Sequence, residues 1–159
     1  MLAIEVLGQN YTVNVVTTNN DLHTDASGLQ IKPQLLFEEV QVLDYTALII
    51  AGGNPDAIIG ETRVRQLIQA FDFAGLVVAG ICAGVLVLAD SGILSGHKVT
   101  HNYTQKYAPD EVVAFTASFW KGIIYEDTLC VESGHIITAM PNGYVDFATK
   151  LAEKLGVYS

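Results

Sequence analysis

The chain is poor in cysteine and in basic residues. Its 159 residues include two cysteines, Cys82 and Cys130, and eight lysine and arginine residues against seventeen aspartate and glutamate residues. The cysteines fit neither a C-x-x-C motif nor a zinc spacing, so we expect no disulfide framework and no metal or other cofactor. The net charge of −9 and the lack of a basic cluster argue against nucleic acid or an anionic membrane as a partner.

Long apolar runs are also missing from the sequence. It contains no stretch of 18 or more apolar residues and opens with no basic-then-apolar leader, so we expect a cytoplasmic protein. Half of the residues are hydrophobic and 16% are charged, which is typical of a globular chain. The length predicts a single domain over residues 1–159.

Strand and helix patterns alternate along the chain. The uninterrupted apolar run at 47–51 is typical of a parallel strand covered on both faces, and apolar residues recur at helical spacing between 61 and 73. This alternation predicts a doubly wound, flavodoxin-like α/β sheet. The other predicted elements are a helix at 1–7, strands at 11–18 and 29–32, a helical turn at 36–42, a strand from 75, a helix at 85–94, a strand at 98–100, a helix near 103–107 within an otherwise irregular 102–121, strands at 123–126, 128–132 and 136–139, and a helix at 144–155.

The most informative motif is Gly-Ile-Cys-Ala-Gly at 80–84. Five residues of buried-strand type precede it and a helix-compatible apolar segment follows, which is the strand, sharp turn and helix order of a nucleophile elbow. Gly80 and Gly84 allow strand and helix to approach closely around the strained nucleophile. Cys82 then lies at a helix N-terminus, where the thiolate is favoured over the thiol.

Three motifs together resemble signatures of the ThiJ/PfpI family within the class I glutamine amidotransferase-like superfamily. They are the 47–53 strand ending in Gly52-Gly53, the cysteine elbow, and the 95–101 segment ending in His101. The family includes peptidases, glyoxalase- and deglycase-like enzymes, chaperone-like stress proteins and oxidation sensors. Peptidase-type members carry histidine where this chain has Ala83, and no H-x-E motif follows the cysteine, so neither proteolysis nor glutaminase activity is favoured.

The resemblance and the strand order indicate the remaining site residues. Ligands of such sheets bind at the carboxyl ends of the strands, so the amides of Gly53 and Ala83 could form an oxyanion hole beside Cys82. The equally plausible alternative for Gly52-Gly53 is a tight turn. In the family's pattern a histidine placed like His101 lies near the nucleophile, where it accepts the proton or pairs with the thiolate.

Two functions fit the same residues. The first is an enzyme with Cys82 as nucleophile on a small carbonyl or amide substrate. The second is a non-enzymatic redox-sensing or chaperone-like stress protein in which Cys82 is oxidised reversibly. The family resemblance and the high apolar content also predict a homodimer.

The family's pattern opens with a strand and a turn that bears a glutamate hydrogen-bonded to the nucleophilic sulfur. This chain has neither before the helix at 1–7, and Glu5 falls about a turn too far along. We expect that strand to lie between the strands at 11–18 and 47–51. The sequence therefore predicts an N-terminally incomplete domain or a strand supplied by another chain, since unpaired buried backbone groups are costly.

Overall fold

The computed structural model describes residues 1–157, which form short helices and strands around one central sheet. In chain order the elements are α1 (Leu2–Leu7), β1 (Val16–Thr17), β2 (His23–Thr24), β3 (Gln30–Ile31), β4 (Leu35–Leu36), β5 (Ala47–Ile50), α2 (Thr62–Phe73), β6 (Val77–Ile81), α3 (Ala83–Asp90), β7 (Lys98–Val99), α4 (Asp110–Thr116), β8 (Ile124–Tyr125), β9 (Cys130–Ser133), β10 (Ile136–Ala139) and α5 (Tyr144–Lys154).

The central sheet has the order β5-β6-β10-β9. Strands β5, β6 and β10 are parallel, and β9 closes one edge as the antiparallel partner of β10. The apolar runs of β5 and β6 suit strands between two helical layers. The sheet is therefore a mixed, flavodoxin-like α/β sheet with helices on both sides, as the strand and helix alternation predicts.

Each face of the sheet has its own apolar core. On one face α2 and α3 pack on the sheet through fully buried side chains such as Ile68, Phe71 and Leu88. On the other face α1 and α5 pack against the sheet around Leu7, Phe147 and Leu151. Of the apolar stripe that the sequence predicts for this helix, Ala148, Leu151 and Ala152 are buried, whereas Val145 is 53% exposed.

The first 45 residues are less regular than predicted. The strand expected at 11–18 is limited to β1, which pairs in parallel with β4. Strand β3 is the predicted extended segment at 29–32, and its antiparallel partner β2 was not predicted. The helical turn expected at 36–42 is a pair of 3-10 turns, Phe37–Glu39 and Val42–Asp44. These pieces are too short to carry a periodic signal.

The helix predicted near 103–107 is wrong. Residues 104–107 form a turn, in which the amides of Tyr107 and Ala108 donate to the carbonyl of Thr104, and the helix of this region is α4. Two of the apolar side chains of α4, Val112 and Phe115, are exposed. Because these apolar residues are exposed, α4 has no amphipathic stripe from which the sequence could predict it.

The edge strand β5 and strand β1 are not neighbours in any sheet of residues 1–157. The expectation of a further strand between them thus stays a prediction. None of the helices described up to residue 157 is both long and apolar enough to cross a membrane.

Candidate active site at the cysteine elbow

Cys82 lies at the tip of a sharp turn between β6 and α3. Its φ of 56° is the positive value of a non-glycine residue, and within residues 1–157 no other non-glycine side chain has one. Its amide donates to the carbonyl of Ala139 at 3.0 Å, and its carbonyl accepts from the amide of Val85 at 3.1 Å. The strained residue is therefore held between the sheet and the first turn of the helix, which is the geometry of a nucleophile elbow.

The two glycines of the motif are required by close packing. A Cβ on Gly80 would lie 2.9 Å from the carbonyl oxygen of Gly84 and from a methyl group of Leu88. A Cβ on Gly84 would overlap the carbonyl oxygen of Ile50, in β5. Helix α3 thus packs against β6 and β5 more closely than any side chain at 80 or 84 would permit, which is the steric role the sequence predicts.

The glycine loop after β5 reaches the nucleophile. A Cβ built on Gly52 would lie 3.0 Å from the Cβ of Cys82 and 3.6 Å from its Sγ. Gly53 has a φ of 123°, a conformation that glycine adopts without strain. Ala83 is the first residue of α3 and directly follows the nucleophile. The loop and the elbow therefore meet at the carboxyl edge of the sheet, while the oxyanion role of the two amides stays a prediction.

His101 is buried in a cluster of aromatic rings. It is 4% exposed, and its ring stacks on Trp120 with centroids 3.8 Å apart and planes 17° apart. The ring of Tyr125 lies 4.8 Å away, and its hydroxyl donates to the carbonyl of His101. The amide of Tyr103 donates to Nδ1 of His101 at 3.0 Å. Burial lowers the pKa of His101 to about 4, so the ring is neutral near pH 7.

Tyr103 is the site residue that sequence reasoning missed. Burial raises the pKa of its hydroxyl, and the charge that Cys82 carries when ionised adds to the rise. Its ring lies 6.1 Å from that of His101. Tyr103 therefore packs beside the predicted histidine. Tyrosines are frequent in this chain, and only the folded arrangement distinguishes this one.

The other three histidines lie elsewhere. His135 is half-buried, and its Nε2 lies 2.6 Å from the carboxylate of Asp72. His97 contacts the hydroxyl of Ser133, and His23 belongs to β2. Within residues 1–157, no group of three or more histidine, cysteine or acidic residues is placed to hold a metal ion. Glu5 is exposed on α1.

Fold and elbow define a class of protein: α/β proteins with a cysteine at the strand-to-helix turn of a doubly wound sheet. The model of the DJ-1/PfpI family matches residues 1–154. The chain belongs to the DJ-1/PfpI family, as the resemblance of its motifs predicts.

Relatives of known sequence and structure support this membership. An uncharacterised protein of Archaeoglobus fulgidus is 29% identical over 92% of this chain and 83% of its own length. The isonitrile hydratase of Pseudomonas putida is 26% identical over 83% of this chain, and the deglycase PfpI of Pyrococcus furiosus is 27% identical over 58%. The crystal structure of a ThiJ/PfpI domain protein from Brachyspira murdochii superposes with a TM-score of 0.83 at 23% identity, covering 99% of this chain and 87% of its own.

The relatives differ in how much of their length the chain spans. The matches cover 54% of the isonitrile hydratase and 56% of the deglycase, so the chain spans little more than half of these two relatives. Membership of the family therefore leaves the reaction of this chain to be proposed from its own site.

Proposed function

We propose that the chain is a cysteine-dependent enzyme that acts on small carbonyl or amide substrates, with Cys82 as the nucleophile. The observation that carries the proposal is the positive φ of Cys82 at the N-terminus of α3, with the Gly52-Gly53 loop against it. Strained backbone of this kind is characteristic of functional sites. A cysteine that served only as a packed hydrophobe would need neither the strain nor the two close-packed glycines.

The proposed first step is attack of the Cys82 thiolate on the electrophilic carbon. The S–C bond forms as the π pair of the C=O bond moves onto oxygen, and the amides of Gly53 and Ala83 are proposed to hold the resulting oxyanion. Protonation of the oxyanion formed from an aldehyde gives a hemithioacetal. An amide gives a tetrahedral intermediate that collapses to a thioester of Cys82 as the amine leaves with a proton from solvent, and water then hydrolyses the thioester to an acid and the free thiol. Small size suits Cys82, which is half-buried and flanked by the glycine loop.

His101 is proposed to act as a hydrogen-bond donor in this step. Its Nδ1 accepts from the amide of Tyr103, so the single proton of the neutral ring lies on Nε2. A neutral imidazole can polarise or protonate an oxyanion, whereas a ring with a pKa of about 4 is a poor proton acceptor at pH 7. Of the two roles that the sequence suggests for His101, we therefore propose hydrogen-bond donation in preference to acceptance of the proton.

Two of the relatives carry the names of enzymes, a deglycase and an isonitrile hydratase. Their names support an enzymatic role for the elbow.

The decisive experiment compares the two cysteines. Loss of methylglyoxal and of small amides is followed for the wild type, Cys82→Ser and Cys130→Ser. We expect Cys82→Ser to lose at least about 100-fold of the turnover and Cys130→Ser to retain it, since removal of a nucleophile typically costs several powers of ten. Turnover that survives in Cys82→Ser would overturn the proposal.

A redox-sensing role is the second candidate, favoured by the partial exposure of the Cys82 thiol at a helix N-terminus. In this reaction the thiolate reduces one hydrogen peroxide to water and becomes a sulfenate, and a second peroxide gives the sulfinate. Intact-mass measurement after peroxide treatment tests it. A gain of two oxygens at Cys82 in a protein with no turnover on any substrate would favour this role over catalysis.

Two further properties are proposed. The chain is proposed to act in the cytoplasm, where both of its free cysteines stay reduced. It is proposed to be a homodimer, because family members are commonly dimers and side chains such as Phe73 and Phe115 are 95% and 78% exposed. Light scattering at micromolar concentration tests the dimer.

A further inference from the structure

An open groove of about 700 Å³ lies beside His101. Four of its lining residues carry rings: His101, Tyr103, Trp120 and Tyr125. Cys82 does not line the groove, whereas His101, the proposed hydrogen-bond donor of the site, does. The groove therefore adjoins the proposed site at His101.

The aromatic wall of the groove is fixed in place. His101 stacks on Trp120 and is held at Nδ1 by the amide of Tyr103, while the hydroxyl of Tyr125 donates to its carbonyl. The rings of Tyr103 and Trp120 lie 5.5 Å apart. A wall whose rings are already ordered loses little entropy when a ligand packs against it.

The groove presents little net charge to a ligand. Its charged residues, Lys106 and Asp127, form an ion pair at 2.6 Å, and the hydroxyl of Tyr107 donates to the second oxygen of Asp127. Its other lining residues include Val113, Ala117 and Ile123. The lining therefore suits a neutral, apolar group better than a carboxylate, a phosphate or an ammonium ion.

Two N–H groups of the wall are left for a ligand. The accepting Nδ1 requires the proton of His101 to lie on Nε2, and among residues 1–157 that Nε2 makes no hydrogen bond. The indole Nε1 of Trp120 is buried without a hydrogen-bond partner within the same residues. A ligand oxygen would satisfy such a donor.

We infer that this groove binds the flat aromatic end of a neutral carbonyl substrate, whose oxygen accepts a hydrogen bond from His101 Nε2. The position of the reacting carbon in this inference rests on the proposed function. The inference adds the class of substrate, which is an aromatic carbonyl compound. Stacking on the ordered rings discriminates a planar group from a saturated group of similar size, because aromatic pairs gain energy beyond the area that they bury.

The binding test uses Cys82→Ser, so that it is independent of turnover. Trp120 is the single tryptophan of the chain, and its indole N–H therefore gives one assignable signal in a proton–nitrogen correlation spectrum. The protein is titrated with acetophenone and with cyclohexyl methyl ketone. The two ketones have the same carbon skeleton, but only the ring of acetophenone is planar. We expect the indole signal to shift with both and the Kd for acetophenone to be lower by about three- to tenfold.

A groove variant supplies the control. Tyr125→Leu removes one ring of the wall at a position that is 37% exposed, so the fold is expected to survive. It should abolish most of the preference for acetophenone, whereas Phe115→Leu, an exposed substitution outside the lining, should preserve it. Equal Kd values for the two ketones in the parent protein would overturn the inference, as would an indole shift that follows protein concentration and reports a second copy in the groove.

Turnover separates this inference from the proposed function. If phenylglyoxal and methylglyoxal are both consumed by the wild type with equal kcat/KM, the enzyme stands and the aromatic groove is wrong. If neither is consumed but acetophenone still binds preferentially in Cys82→Ser, the groove stands and the proposed reaction is wrong.

Discussion

The two cysteines lie on either side of the same residue of β10 and have opposite surroundings. The amide of Cys82 donates to the carbonyl of Ala139, and Ala139 is also the antiparallel partner of Cys130. Cys82 has a left-handed backbone and a partly exposed thiol at the start of α3, whereas Cys130 is a buried residue of β9. Burial is also the main cause that raises the pKa of the Cys130 thiol to about 11.

This contrast shows that the backbone turn and the burial of each thiol determine the chemistry open to it. A thiol inside a strand packs as a small hydrophobe and stays protonated. A thiol raised above the sheet by a glycine-flanked turn is held where a substrate can reach it. Four predictions follow this comparison from the largest effect to the smallest.

The first prediction tests the close packing of α3 against β5 that supports the turn at Cys82. Gly84→Val is expected to lower the free energy of unfolding by at least about 4 kcal/mol, because its side chain would overlap the Ile50 carbonyl and force α3 away from β5. Chemical denaturation measures the effect. Gly134→Asn is the control, since position 134 has open space and a φ of 63° that asparagine tolerates. A Gly84→Val protein as stable as the wild type would contradict the close packing.

The second prediction concerns the thiols themselves. Cys82 should react with iodoacetamide at neutral pH at least about 100-fold faster than Cys130, whose burial and raised pKa suppress its thiolate. Peptide mass spectrometry after timed quenching measures both rates in the native protein. In urea the two rates should converge, and equal rates without urea would remove the distinction between the two sites.

The third prediction concerns the surroundings of Cys82 and tests whether His101 is neutral in the folded protein. Its folded-state pKa of about 4 lies below the ordinary 6.5, so the unfolded chain binds more protons between these values. Neutral His101 therefore contributes fully to the free energy of unfolding above pH 6.5. This contribution of about 3 kcal/mol is lost as the pH falls towards 4. His101→Gln should lack this component of the acid dependence, while Tyr125→Phe, which keeps the histidine and the ring, should retain it. Identical acid slopes in His101→Gln and wild type would show that the ring titrates normally.

The fourth prediction tests Cys130. Because its folded-state pKa is raised from 9.0 to about 11, the unfolded chain loses the proton first as the pH rises. Stability should thus fall by about 2 kcal/mol between these pH values, and Cys130→Val should remove that component while Cys82→Ser should keep it. The free energy of unfolding, measured by urea denaturation from pH 8 to pH 11, provides the readout.

The sequence predicted the parts of this site that depend on neighbours along the chain. Gly80, Cys82 and Gly84 lie within five residues, so their spacing alone indicates the elbow. The apolar runs of β5 and β6 and the stripe of α5 are likewise local patterns. Such signals survive in a single sequence because strand and helix periodicity is set by the backbone.

The aromatic groove depends on contacts that no local pattern records. Trp120 and Tyr125 come after α4, a helix whose exposed apolar side chains hide it from periodicity, yet both rings pack against His101. The neutral state of His101 also follows from burial, which the tertiary structure alone creates. The sequence by itself therefore determined the cysteine elbow and the sheet that holds it, whereas the surroundings of Cys82 were decided by the tertiary structure, because they are built by residues distant along the chain.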